Sequence, residues 1–592
     1  MKPFLPSRLA LQAVEPYRIP QFERAGYLRL DVNEHPGGPP EFVVDAVRAA
    51  LTQATVATYP VYAQWHAEAA AWFGVQPDEL TCTAGGDEAI KAICEAHLLP
   101  GKSLVTVDPG YDMFKIWAQL YGNPQEGVPL LPGFAFDPDA WFEAIVGANV
   151  GLIALVTPNN PTGTVCPREV IEATLAAVTC PVVIDETYAE FVDKSVVDLL
   201  PKYPQLFIIR SFSKVHGLAG LRAGAVLSQA QNIEALRRVL NPFNVNRAAI
   251  AAALAVIAHP EATRAHVAEV TAARTEFVAA LTAMDVEPGP ANANFVLAHF
   301  GERAQEVTAH LAQEAILIRN RTGSHPRLHG WCRIAIGDRR QMARTAGAIR
   351  KVMQAPPRLT TLVFDMDGPL VDTSRSYRVA IAETARNLLR AEGASEATLA
   401  LVTLDRVEAL KRRGGLNNDW DCTAALVAEL GGRVEINAIY ETFQRLYWGD
   451  IGEGLIAGEP FLVDPAHRAE IAAHYRTAIV TGRPREEALH TLQLNDALRT
   501  WPVLVAMEDA AAKPAPDGIY LALQQLQMSV DGAAYLGDSV DDMLAARAAG
   551  VYPIGVLPAG QAWNGGLPET LYAAGAEVVF ASVREVLRWL QP

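Results

Sequence analysis

The stretch FDMDGPLVD, residues 364–372, ends an apolar run, TLVF (361–364), in two carboxylates two residues apart and then a glycine. Such a run before paired acids and a glycine turn predicts a buried strand that presents a carboxylate cluster at its carboxyl end. It lies just past the midpoint of a 592-residue chain, too long for one hydrophobic core. At roughly 100–200 residues per domain, three or more folding units are expected. Downstream, TAIVTG, PVLVAM, AAYLGD and VYPIGV repeat the short buried-strand pattern with helical segments between them. Upstream, from about residue 75, SLVTVD, GLIALVT, PVVIDE, LFIIRSF and AGAVLS do the same. This alternation implies parallel strands joined by crossover helices, so both halves read as α/β.

Between the two halves the text changes. After about Ala248 it is Ala-rich and helical, and it returns to strands at NFVLAHF and WCRIAIG before the helix QMARTAGAIRKVMQ (341–354). A smaller α+β subdomain fits this order. The prolines of APPR (355–358) break the helix and read as a linker. Between Asp372 and about Gly458 the second half carries a mostly helical insertion, interrupted by the polar, glycine-containing KRRGGLNNDW (411–420). Lys411, Arg412 and Arg413 in that break are candidates to face a ligand. No internal repeat is visible.

Composition narrows the function classes. Half the residues are hydrophobic, a fifth are charged and the net charge is −16, an ordinary globular composition that argues against nucleic acid as the main partner. No apolar run reaches the roughly 18 residues needed to cross a bilayer. The first twenty residues carry prolines where a signal peptide needs an unbroken apolar stretch, so a cytoplasmic protein with no membrane partner is expected. The six cysteines are scattered without a CxxC pair and read as reduced, buried thiols.

In the first half, RSFSKVHGLAGLRAG (210–224) places Lys214 in a loop after a strand, beside Ser211, Ser213 and Arg222. With TAGGDEAIKAI, DPGYDMF, NNPTG and PVVIDETY, this loop resembles the fold-type I enzymes that use pyridoxal phosphate (PLP), and within them the histidinol-phosphate aminotransferase group, over roughly residues 10–354. The resemblance implies that Lys214 forms the Schiff base and moves protons, and that Asp185 keeps the pyridine nitrogen protonated. Asn160 and Tyr188 would bond the ring hydroxyl, and Tyr111 would stack on the ring. Gly85, Gly86 and Asp87, at a glycine turn entering a helix, would hold the cofactor phosphate with Ser211, Ser213 and Arg222. Tyr59 would reach that phosphate across a homodimer interface. On the substrate side the resemblance implies Tyr17, Arg333 as the bidentate grip on an α-carboxylate, and Arg319 on a substrate phosphate. LDVNEHP departs from the group's pattern by carrying His35 where an asparagine is usual.

The second half resembles the haloacid dehalogenase superfamily, with DMDG as its first motif, Thr481 after TAIV, Lys513 in AAKPAPDG, and Asp538 and Asp542 in GDSVDDM. The resemblance implies that Asp365 is the nucleophile and Asp367 the general acid and base. It also implies Mg²⁺ held by Asp365, the Asp367 carbonyl and Asp538 with Asp542 adjoining, and phosphoryl oxygens held by Thr481 and Lys513. Pro369 departs from the threonine usual there and removes a hydroxyl and a backbone donor.

The expected architecture is therefore α/β. A fold-type I aminotransferase over 1–354 has a large domain at about 45–248 and a small one made of the N-terminal arm and about 249–354. A linker (355–358) leads to a Rossmann-like haloacid dehalogenase core with an α-helical cap (359–592, cap about 373–458). The expected function is transamination of a phosphorylated substrate with glutamate and 2-oxoglutarate, as in histidine synthesis, followed by hydrolysis of the phosphate monoester. Another phosphorylated amino compound, a PLP decarboxylase, and a second domain that senses phosphate without turnover are the competing readings.

Overall fold

A computed structural model of the chain describes residues 22–147, 149–411, 418–450 and 452–591. The chain divides into two compact units, one up to Met342 and one from Ala343 onward. The division falls inside the helix Arg339–Met353, ahead of the expected linker. Helix residues beyond it bond within the second unit, Arg344 to Glu569 and Lys351 to the Val579 carbonyl.

The first unit opens with strand β1 (Leu28–Leu30). Then come β2 (Leu80–Thr83), β3 (Ser103–Asp108), β4 (Gln125–Pro129), β5 (Val150–Val156), β6 (Val182–Asp185), β7 (Leu206–Ser211) and β8 (Gly224–Leu227). Strands β2 to β8 form one seven-stranded sheet in the order β2-β8-β7-β6-β5-β3-β4. Side chains alternate between two buried clusters: Ile153, Ile184 and Ile208 enter one, while Leu152, Val183 and Phe207 enter the other. A sheet covered on both faces needs continuous apolar strands, which is why these runs show no polar alternation. Each such side chain contributes about 1.5–3 kcal/mol by burial. The expectation of parallel strands holds for β3 to β7 and fails for β8, which runs antiparallel to both β2 and β7. A parallel return needs a crossover helix, and residues 212–223 form none.

A five-stranded sheet adds β9 (Glu287–Pro288), β10 (Phe295–His299), β11 (Ile316–Asn320) and β12 (Trp331–Ala335), in the order β1-β11-β12-β10-β9. Strand β1, from the amino-terminal part of the chain, pairs parallel to β11.

The second unit contains β13 (Thr361–Phe364), β14 (Arg476–Val480), β15 (Val503–Val505), β16 (Ala533–Gly537), β17 (Tyr552–Val556) and β18 (Val578–Phe580). They form a wholly parallel sheet in the order β15-β14-β13-β16-β17-β18. Chain order runs outward in both directions from β13, so its carboxyl end is a topological switch point, where open α/β sheets place their ligands. Asp365 stands there. Residues 377–447 supply the helical cap: Tyr377–Ala391, Glu396–Ala400, Leu404–Lys411, Asp419–Glu429 and Ile436–Tyr447, packed on their own core of Ile381, Leu389, Leu426 and Phe443. Arg412 and Arg413 lie outside the described residues, as does Tyr17. All six cysteines are free; five are buried and Cys180 is partly exposed.

Candidate active sites

In the first unit, the loop between β7 and β8 carries Lys214 into a cavity at the carboxyl ends of β6 and β7. Its Nζ donates to the Val32 carbonyl at 3.1 Å. Burial pushes the Lys214 amine down to about 8, and the Arg333 and Arg222 charges act in the same direction. Asp185 ends β6, fully enclosed. Burial raises its carboxyl to about 6 against the opposing bond from the Thr187 backbone N–H at 2.9 Å.

The groups expected to hold a phosphate form one cup. The helix Gly86–His97 starts there without a side-chain cap, so its first N–H groups are available to an anion. Gly85 has φ 81°, and a Cβ at this position would lie 2.7 Å from the Arg222 guanidinium, which only glycine avoids. Arg222 donates to Asp87 at 2.9 Å, and the Tyr111 hydroxyl donates to the other Asp87 oxygen at 2.8 Å. The Ser213 hydroxyl is buried with no hydrogen-bond partner among the described residues. An orphaned hydroxyl, uncapped helix N–H groups and an arginine around one cup fit the phosphate of PLP.

Above the cup, Arg333 donates to Asn160 Oδ1 at 2.6 Å and to the Asp31 carbonyl at 2.9 Å, and the Tyr188 hydroxyl accepts from Asn33 at 3.1 Å. Gly86, Asp87, Tyr111, Asn160, Asp185, Tyr188, Ser211, Ser213, Lys214, Arg222 and Arg333 all line the cavity. Asn33 and Thr187 line it too and were not anticipated; for Asn33 the signal was available in LDVNEHP. Tyr59 is not among the lining residues: it is 73% exposed and stacks on Phe243 at 4.2 Å. Arg319 sits across from Arg333 in the β11–β12 pair, on the same sheet face, and does not line the cavity either. His35 stacks on His266 at 3.8 Å, away from the cavity wall.

In the second unit the carboxylates converge as the motif order implies. Asp365, Asp538 and Asp542 each place an oxygen within 4.8 Å of the others. Lys513 ties the group together, at 2.9 Å from Asp365 and 2.6 Å from Asp542. Burial raises the Asp365 carboxyl to about 7, helped by the Asp542 and Asp367 charges and opposed by Lys513; burial and the Asp542 and Asp365 charges push Asp538 well up, opposed by Arg378 and Lys513. Three crowded carboxylates against one lysine call for a further cation, and an all-oxygen set suits Mg²⁺. Both Asp542 oxygens are already bonded, one to Lys513 and Tyr535, the other to the backbone N–H groups of Asp538 and Ser539 and to the Ser539 hydroxyl. The Asp538 side chain has no hydrogen bond among the described residues. Gly368 has φ 93°, and a Cβ there would meet Asp538 Oδ2 at 2.2 Å, which is why DMDG ends in glycine.

Two expected features sit differently. Thr481 is buried, its hydroxyl accepts from the Arg483 N–H at 3.1 Å, and it does not line the catalytic cavity. Pro369 lines a separate pocket with Leu462, Val463 and Asp464. Sequence reasoning missed Arg483, Glu459 and Tyr377, which pack against Asp367 and the cap.

Residues 25–349 match the aminotransferase class I and II family, more than half the chain. The chain belongs to that family. Residues 359–550 match the haloacid dehalogenase-like hydrolases, so this aminotransferase chain carries two enzyme folds, with PLP and Mg²⁺ as the cofactors of their families. The aminotransferase part is 37% identical over 309 residues to the histidinol-phosphate aminotransferase of Roseiflexus castenholzii, covering 50% of this chain and 82% of the relative. It is 32% identical over 331 residues to that of Thermococcus gammatolerans, covering 56% and 92%. The structure of histidinol-phosphate aminotransferase from Sinorhizobium meliloti in complex with PLP superimposes with a TM-score of 0.55 at 24% identity, over 60% of this chain and 98% of that one; it shares the fold.

Proposed function

We propose that the chain transfers an amino group between glutamate or 2-oxoglutarate and a phosphorylated substrate of the histidinol-phosphate type, and then removes the phosphate from the product. The supporting observation is that one chain holds two separate phosphate-handling sites, the Lys214 cup and the Asp365 cluster, each at the carboxyl ends of parallel strands. Joining them raises the local concentration of the intermediate at the second site.

PLP, when bound, supplies an electron sink for carbon–nitrogen chemistry. Lys214 would attach it and move the substrate proton, a role suited to an amine pushed down to about 8. Asp185 would pair with its ring nitrogen, Asn160 and Tyr188 with its hydroxyl, and Gly85, Gly86, Asp87, Ser211, Ser213 and Arg222 with its phosphate. Arg333 presents a fork for an α-carboxylate.

In the second unit Asp365 attacks phosphorus, and the ester oxygen leaves with a proton from Asp367. Asp367 then takes a proton from water as that water's oxygen attacks phosphorus and releases Asp365 and inorganic phosphate. Lys513 offsets the charge that collects there, and Mg²⁺, held by Asp365 and Asp538, would add to that offset. The cap wall of the cavity carries Trp420, Phe443 and Tyr377 beside two ion pairs, Arg378 with Glu408 and Lys411 with Asp419 at 2.5 Å. Rings among balanced charges suit an alcohol that bears both a ring and an ammonium group.

Around Tyr59, Val56 is 69% and Val61 76% exposed, and Phe243 half exposed. An apolar patch of this kind marks an interface, here with a second copy in a homodimer in which Tyr59 reaches the neighbouring cup. A cytoplasmic location accords with no described helix being long and apolar enough to cross a membrane. The test is to supply histidinol phosphate and 2-oxoglutarate and score glutamate and inorganic phosphate. Glutamate without phosphate release refutes the second activity; phosphate release without glutamate refutes the first.

A further inference from the structure

In the helical-cap unit, one arginine is enclosed by charges that do not belong to the cation-binding cluster. Arg483 follows β14 in the run TGRPR and is 1% exposed. Its Nε and one Nη donate to the same Asp367 oxygen, Oδ1, at 2.8 and 2.5 Å. That Nη also reaches Glu459 at 2.8 Å, the other Nη donates to Thr491 at 3.1 Å, and the guanidinium lies 5.0 Å over the Tyr377 ring.

Glu459, with its carboxylate wholly enclosed, is in turn set from the cap. Its second oxygen accepts from the Ser376 hydroxyl at 2.5 Å and from Tyr447 at 3.1 Å. Tyr377 and Tyr447 stack at 4.2 Å, and Tyr377 donates to Glu487 at 3.0 Å. A buried ion pair adds little stability over an apolar packing of the same volume, so stability alone does not account for an arginine here. The arrangement does one specific thing: in a residue that lines the cavity, it takes Asp367 Oδ1 twice and leaves Oδ2 with no hydrogen-bond partner among the described residues.

We propose that Arg483, held by Glu459 and the cap tyrosine Tyr447, is the positioning residue of Asp367, fixing its carboxyl so that one oxygen is reserved for proton exchange with the leaving group and with water. This rests on the reading of Asp367 as general acid and base. A planar fork that bonds one carboxylate oxygen through two nitrogens and a second carboxylate at the same time cannot be reproduced by an ammonium. The same contacts tie the orientation of Asp367 to the cap, because two of the groups that set Glu459, Ser376 and Tyr447, flank or belong to cap helices.

The experiment compares kcat/KM of the full, Mg²⁺-loaded chain for p-nitrophenyl phosphate, whose leaving group needs no proton, and for 2-aminoethyl phosphate, whose alkoxide does. Asp367→Asn is the reference and should lower the alkyl ester about 10²-fold or more beyond the aryl ester. Arg483→Lys should move the same ratio by about tenfold. Glu459→Gln, which keeps the volume and covers the case in which Arg483→Lys does not fold, should move it about threefold in the same direction. Equal loss on both esters in Arg483→Lys and in Glu459→Gln, with Asp367→Asn still discriminating, overturns the positioning role alone. Equal loss on both esters in Asp367→Asn overturns the acid–base assignment and the proposal with it.

Discussion

Lys214 and Asp185 show how much a single residue's chemistry depends on enclosure. A solvated lysine is almost wholly protonated at neutral pH, whereas burial and two nearby arginines bring Lys214 to about 8. The direction fixes the pH dependence: a lowered lysine is nucleophilic above its folded value and protonated below it. Covalent attachment of PLP to the cofactor-free chain, followed by absorbance, should therefore reach its full rate above about pH 8 and slow about tenfold per unit below it. Stopped-flow mixing across pH 6 to 9 checks this; a flat profile contradicts it. Lys214→Ala should abolish glutamate formation from histidinol phosphate and 2-oxoglutarate and leave phosphate release from histidinol phosphate supplied alone intact. Asp365→Asn should do the reverse, the two products being scored in separate assays. Lys214, Asp185, Asp365 and Asp538 were legible in the sequence because each follows a buried strand inside a longer motif. Arg483 was not: its partners Asp367 and Glu459 lie 116 and 24 residues away, and an arginine in a loop carries no pattern of its own.

At the scale of elements, strand ends and glycine turns decide where the chemistry sits. Gly368→Ala would drive a methyl group into Asp538 Oδ2, 2.2 Å from the built position. Displacing a carboxylate of the cluster by about an ångström should cost phosphate release about 10²-fold, while glutamate formation stays at its starting rate. Inside the first sheet, Ile208→Ala on β7 removes a fully buried side chain and should destabilise the chain by about 2–5 kcal/mol, read as a lower urea midpoint for the loss of amino transfer. The apolar runs announced β3, β5 to β7 and β13 to β17. They did not announce β4, whose five residues are mostly exposed, nor the antiparallel direction of β8, because a run of apolar residues records burial and is the same read in either direction.

For the whole molecule, the exposed Tyr59 patch sets the prediction. Val61→Asp, placing a charge in an apolar face, should shift sedimentation velocity from dimer to monomer and lower PLP affinity at low protein concentration, with phosphate release unaffected. A Val61→Asp chain that sediments as the starting protein does contradicts the homodimer. The amino-acid sequence by itself determined two α/β folds in series, an α+β subdomain, a helical insertion and most of the groups around Lys214 and Asp365, because strand burial and phosphate-binding turns are written in contiguous residues. Only the tertiary structure decided that Asp542 is spent on Lys513 and a helix start, that the Thr481 hydroxyl is taken by the Arg483 backbone N–H, that His35 stacks on His266, and that Arg483 grips Asp367. Those outcomes depend on side chains distant in sequence competing for the same few hydrogen bonds in a space from which water is excluded, and no local pattern records which of them prevails.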